Sequence, residues 1–175
     1  GAAGRRAGAT LIMPRAGLFR RVSLPGGTLI RDWPAFAEPL ARADKLIGVT
    51  PLKHHNRSGA SMTMKNWYGL LGGRRNRFHQ DINGIILELA RLVKPTLVVL
   101  DGTTAMMTNG PTGGSVADLK ATNLMVASTD PVAADAFGAT VLGRRASDLP
   151  YIVRAVAAGV GTADFESLKP VRLRV

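Results

Sequence analysis

The sequence predicts an α/β fold with a mainly parallel sheet flanked by helices. Apolar runs of a strand's length recur at Lys45 to Val49, Thr96 to Leu100 and Asn123 to Ala127. Stretches with helical spacing fall between them, the clearest being Ile82, Ile85, Ile86, Leu89 and Leu92, one face of an α-helix. Alternating strands and helices imply a parallel sheet whose crossovers are helical. With 175 residues, 46% of them apolar and 20% charged, the chain suffices for one packed domain.

The first segment, residues 1–31, is Gly- and Arg-rich and irregular. Two β-like runs, Phe19 to Leu24 and Thr28 to Arg31, flank Pro25-Gly26-Gly27, which reads as a hairpin turn. Residues 32–175 read as the α/β domain, opening with a helix from Pro34 to Ala43 and the strand from Lys45 to Val49. A helix is expected from Ser58 to Leu71, with Ser58 or Ser61 as N-cap and Gly72-Gly73 as its stop. The next runs from Phe78 to Leu92. Pro95 ends it and opens the strand Thr96 to Leu100, whose continuous apolar run suits burial on both faces. After a loop over Asp101 to Ser115 and the strand Asn123 to Ala127, Asp130-Pro131 begins a helix to Leu142, with Asp as N-cap and Pro at N1. The last helix spans Pro150 to Ala158, with a short strand at Val171 to Val175.

The formal charge is +11, from 23 Lys and Arg against 12 Asp and Glu. Such a surplus raises the question of nucleic acid, which clustered cations bind by releasing counterions. The arginines are scattered, however, few aromatics are available for stacking, and no zinc-finger or RNA-recognition motif is present, so nucleic acid is the least favoured partner. No apolar run is long enough to span a bilayer. With no cysteine, this chain ligates no cysteine-held iron–sulfur cluster and performs no thiolate chemistry. Arg5-Arg6 lacks the apolar stretch of an export signal, and the compartment stays open.

The groups with chemical potential gather between Pro51 and His79. All three histidines of the chain lie there, with Lys53, Lys65 and the arginines at 57, 74, 75 and 77. Imidazole titrates near neutral pH, and buried cations are costly unless paired, so packing alone gives no reason to collect them. Lys53, His54 and His55 are expected in a loop just past a strand, where open α/β sheets bind ligands. Lys65, His55 and His79 are the candidate catalytic residues, able to hold a carboxylate or phosphate and move a proton. Lys53 and Asn66 are candidate binding residues, as are Gly110 and Gly113 in the turn Asn109 to Gly114, whose backbone amides could face an anion. Asp101, Asp130 and Asp135 near strand ends could bind a hard divalent cation such as Mg²⁺, although Asp130 also reads as a helix cap. Hydrolase, metalloprotease and dinucleotide-binding signatures are missing.

In order, Pro51-Leu52-Lys53-His54-His55, Thr63-Met64-Lys65-Asn66 with Gly69, His79, Leu97 to Gly102, Gly110-Pro111-Thr112-Gly113, Asp130 to Asp135 and Gly159-Val160-Gly161 resemble the DUF362 family. Its members are uncharacterised, and some carry ferredoxin-type iron–sulfur segments. The resemblance covers Ala43 to Leu168 and implies an α/β fold from which the family's usual N-terminal portion is absent or shortened. It also implies either a fragment of a longer protein or a subunit that docks beside a protein partner carrying a redox centre. A more distant likeness is to the lactate racemase family, where a Lys carries a nickel-pincer nucleotide. It would make Lys65 the anchor and His55 and His79 the metal ligand or acid/base pair. The function expected is a Lys/His site for a small anionic ligand or cofactor, in redox or isomerisation chemistry. The alternatives are a non-catalytic accessory subunit and a nucleic-acid binder.

Overall fold

The structure, a computed structural model, describes residues 2–112 and 114–174. Along the chain come α1 (Ala2–Arg6), β1 (Arg20–Val22), β2 (Trp33–Ala35), β3 (Ile47–His55), β4 (Gly59–Ser61), α2 (Thr63–Asn66), α3 (Ile82–Leu92), β5 (Leu97–Met106), β6 (Leu119–Ser128), α4 (Pro131–Val141) and α5 (Pro150–Ala157). The main sheet has the order β4-β3-β5-β6. Only β3 and β5 run parallel; β4 folds back antiparallel on β3, and β6 on β5. The sheet is therefore mixed, with mostly antiparallel pairing. Alternation of strands and helices accounts for the β3–α3–β5 crossover. It misses the outer strands, which join their neighbours through connections without an α-helix.

One face of this sheet carries the core. Leu52 on β3 and Leu100 on β5 are fully buried, and α4 lies so close over them that a side chain at Gly138 would run into Leu100 and Met62. The opposite face is open. Ile47, Val49 and Met125 are 56%, 64% and 64% exposed, as the two-residue alternation of side chains along a strand dictates. Second-layer helices follow their sequence signals. The Asp81 side chain caps α3 by accepting from Gly84 N at 2.9 Å, and Ile82, Ile85, Ile86 and Leu89 turn inward. The Asp130-Pro131 start of α4 is as expected, and α5 gives way to Gly159 at φ +67°, a left-handed position that glycine adopts without strain.

Several expected elements differ. The run Phe19 to Leu24 contains β1, but its partner is β2 rather than Thr28 to Arg31. Residues 34–43 hold β2 and a single turn of 3₁₀ helix at Leu40–Arg42 instead of an α-helix, since Pro34 and Pro39 deprive that stretch of amide donors. Ser58 to Leu71 contains β4, the one-turn α2 and a 3₁₀ turn at Trp67–Leu70. Helix α3 starts four residues later than expected, after a 3₁₀ stretch at Arg75–Asp81. The Asp101 to Ser115 loop is half strand, because β5 runs on to Met106. No strand forms over residues 171–174.

The N-terminal segment is fastened by one acid. Glu88, on the inner face of α3, accepts from Thr28 N (2.6 Å), Leu29 N (2.9 Å), Ile30 N (2.7 Å) and Thr28 Oγ1 (3.1 Å). Burial works to raise its pKa, but these hydrogen bonds outweigh it and hold the carboxyl below its ordinary value. A depressed carboxyl stabilises the fold above its unfolded pKa, and that contribution disappears as the pH falls through the folded value. Glu88→Gln is expected to cost about 1.5–3 kcal/mol in urea unfolding at pH 7 and to speed tryptic cleavage at Arg20, Arg21 and Arg31. Its stability should also fall less on acidification than that of the parent.

Candidate functional site

Strand β3 does not stop at Val49 but continues through His55. Lys53, His54 and His55 therefore stand on the strand's last three positions, opposite Ser61, Ala60 and Gly59 of β4, and not in a loop. The inside–outside alternation of β3 breaks at Lys53, where its register with β5 also shifts. Here, at the carboxyl end of the parallel pair, α2 crosses beside the sheet. Asn66 donates from Nδ2 to the carbonyl of Val49 at 3.3 Å, tying α2 to the part of β3 that lacks a partner on that side.

Lys65 and His79 meet around Tyr68. The Lys65 ammonium lies 5.5 Å from the centre of the Tyr68 ring, and the ring of His79 stands edge-on to the same ring at 5.5 Å. Arg75 covers it at 5.7 Å. Tyr68 donates its hydroxyl to the Arg75 carbonyl at 2.6 Å. His79 Nδ1 lies 3.1 Å from the Asn76 carbonyl. A carbonyl only accepts, so Nδ1 carries the proton and neutral His79 keeps its lone pair on Nε2.

His55 is buried at 2% exposure. Its Nδ1 accepts from the amides of Arg57 (3.1 Å) and Ser58 (3.2 Å), which assigns its proton to Nε2. Desolvation first, then the charges of Lys65, His79, Lys53 and His54, push its pKa down to about 4. Lys65 is half-buried, and burial together with Lys53 and Arg75 lowers its amine to about 8. Among the described residues, neither Lys53, Lys65, Arg75 nor His79 pairs with a carboxylate. The ion pairs there join Arg20 and Arg42 to Glu38, Arg21 to Asp32, Arg145 to Asp148, Arg154 to Asp81 and Arg172 to Glu166.

The remaining candidates are placed elsewhere. Gly110 meets the cluster, but its amide donates to His54 Nδ1 at 3.1 Å, and a side chain there would run into the His54 carbonyl. Close backbone approach is the reason for this glycine. Gly113 lies outside the described residues. The three aspartates stand apart. Asp101 accepts from Thr103 N and Oγ1 at 2.9 and 2.8 Å. Asp130 caps α4 and binds Thr162 N at 2.9 Å, and Asp135 is buried against α2. Among the described residues no three His or acidic groups converge on a metal position.

Neither Tyr68 nor Asp118 stands out in the sequence. Tyr68 follows Lys65 by three residues, a spacing that faces two side chains on one helical surface. Asp118 shapes the loop that carries Gly110, accepting from Thr108 Oγ1, from Asn109 Nδ2 at 2.7 Å and from Ser115 N at 2.7 Å. Only its partners' spacing hinted at this.

A family model described as a domain of unknown function, DUF362, matches residues 1–140. The chain belongs to the DUF362 family. The match takes in the irregular N-terminal segment as well as the Lys/His cluster. A thylakoid-associated protein of Synechocystis sp. is similar to this DUF362 chain, with 29% identity over 131 residues, 65% of the chain and 39% of that protein. The chain thus spans about two fifths of the length of that relative. No solved structure matches, and no helix among the described residues is long and apolar enough to cross a membrane.

A histidine with a depressed pKa costs the fold nothing above its unfolded value and destabilises it increasingly as the pH falls toward the folded one. Between pH 6.5 and 4 the protein is expected to lose on the order of 3 kcal/mol through His55. Urea unfolding at pH 7 and 4.5 measures this, and His55→Gln should show a shallower pH dependence.

Proposed function

We propose that this DUF362 chain binds a small anionic ligand or cofactor between Lys53, Lys65 and Arg75, with His79 positioned to exchange a proton in redox or isomerisation chemistry. The observation that carries this is the lack of any carboxylate partner for these cations among the described residues, although they depress the pKa of Lys65 and His55. Like charges gathered at a half-buried site repel one another. An anion among them converts that repulsion into attraction. His55 is neutral at physiological pH and contributes an Nε2–H donor without charge, while the Nε2 lone pair of neutral His79 can accept a proton.

Phosphate or oxalate should bind in calorimetry and raise the melting temperature. Lys65→Met is expected to weaken binding at least tenfold, about 1.4 kcal/mol. That variant should nonetheless fold. A lysine amine with a lowered pKa costs stability wherever it is charged, so removing it favours the fold below about pH 8. Undiminished binding by Lys65→Met would contradict the site.

A second reading, an accessory subunit for a redox partner, draws support from the open sheet face around Ile47, Val49 and Met125 and from the greater length of the relative. On this reading the tagged chain recovers a stoichiometric, iron-containing protein, and Val49→Asp loses it. Recovery that ignores Val49 would count against it. Nucleic acid draws least support, since Arg20, Arg21, Arg42, Arg145, Arg154 and Arg172 are engaged with carboxylates.

A further inference from the structure

Lys65 differs in its surroundings from the chain's other lysines. Its helix α2 is fixed because Asp135 accepts from Thr63 N at 2.7 Å, Thr63 Oγ1 at 2.6 Å and Met64 N at 3.3 Å. Its amine rests over the Tyr68 ring, half removed from water, and Arg75 covers the same ring, while the charge of Lys53 also acts on it. By contrast Lys45, Lys94, Lys120 and Lys169 are exposed. A lysine desolvated beside other cations is activated as a nucleophile, because its neutral form is the one favoured there. At pH 8 roughly a hundredfold more of such an amine is neutral than of an ordinary lysine.

We infer that Lys65 is a covalent binding residue, forming an imine with the carbonyl carbon of a small 2-oxo acid whose carboxylate lies between Lys53 and Arg75. This rests on the anion-site reading above and names its ligand class. Phosphate meets the charge requirement of the site but offers no carbon electrophile. A 2-oxo acid supplies a carboxylate for the cations and, one bond away, a carbonyl for the amine.

In the first step the Nζ lone pair forms the C–N bond. The π pair of the carbonyl moves to its oxygen, which takes up a proton, and Nζ gives up a proton to His79 Nε2, leaving a carbinolamine. In the second, His79 returns that proton to the hydroxyl, the C–O bond breaks and water leaves. The nitrogen lone pair completes C=N, and its remaining hydrogen departs to solvent or stays as the iminium proton. The sum is amine plus ketone to imine plus water, with no change of oxidation state. The Nε2–H of His55 is available to hold the carbonyl oxygen as negative charge develops on it.

The test uses the full chain with pyruvate and cyanoborohydride at pH 8, which reduces an imine to a stable secondary amine, followed by peptide mapping. Lys65 should be modified at least tenfold faster than Lys45, Lys94, Lys120 or Lys169. Lys53→Met should slow its modification. Lys65→Arg should give no adduct at that position. In parallel, phosphate should protect Lys65 from trinitrobenzenesulfonate. Protection without a pyruvate adduct would overturn the imine and leave the anion site standing. Absence of both would overturn the two together, and equal modification of the exposed lysines would overturn the selectivity on which the inference depends.

Discussion

A buried carboxylate on α4 decides where Lys65 points. Asp135 is fully buried, and burial pushes its pKa up to about 7 against the opposing effect of the hydrogen bonds from Thr63 and Met64. One turn of helix has no independent stability in water. Helix α2 exists because these donors have an acceptor waiting on α4, and because Met62 and Met64 are buried beside it. Helix α4 in turn lies across Leu52 and Leu100 at Gly138. The core of the sheet and the direction of the lysine are thus linked through one side chain.

That linkage explains how the chain tolerates cations that repel one another. Lys53 and His55 belong to a strand held by β4 and β5, Lys65 to a helix fixed by Asp135, and His79 and Arg75 to a 3₁₀ stretch that leads into α3. Each is positioned by packing elsewhere, so the electrostatic cost at their meeting point is carried by the rest of the fold. Perturbed titration of this kind collects at functional sites because such sites need charge that the fold alone would avoid.

Much of this was legible in the sequence. Composition singled out Pro51 to His79, and Lys65 and His79 stand against one ring, that of Tyr68. The Asp130-Pro131 start of α4 and the inward face of α3 were written in local chemistry. Less visible was anything decided by distant partners. The antiparallel placement of β4 and β6 is set by pairing and not by strand propensity. Asp135 reads as a free acid until Thr63 is seen to donate to it across 72 positions, and the same holds for Glu88 and residues 28–30. Lys53 to His55 resembles a polar loop because polar residues close a strand whose partner β4 is only three residues long. Gly110 reads as an anion cradle until its amide is found on His54.

Membership of the DUF362 family and a likeness to a thylakoid-associated protein leave the chemistry of the cluster to its geometry. The central claim, that the cations are assembled for an anion, is tested most directly at the Lys65 amine itself. Nitrogen NMR of labelled lysine can follow its titration with and without saturating oxalate. An anion that binds beside the charged amine must raise its pKa, by thermodynamic linkage. The account predicts a midpoint near pH 8 without oxalate that moves up toward the ordinary lysine value when oxalate is bound. A midpoint that stays in place at saturating oxalate would contradict it.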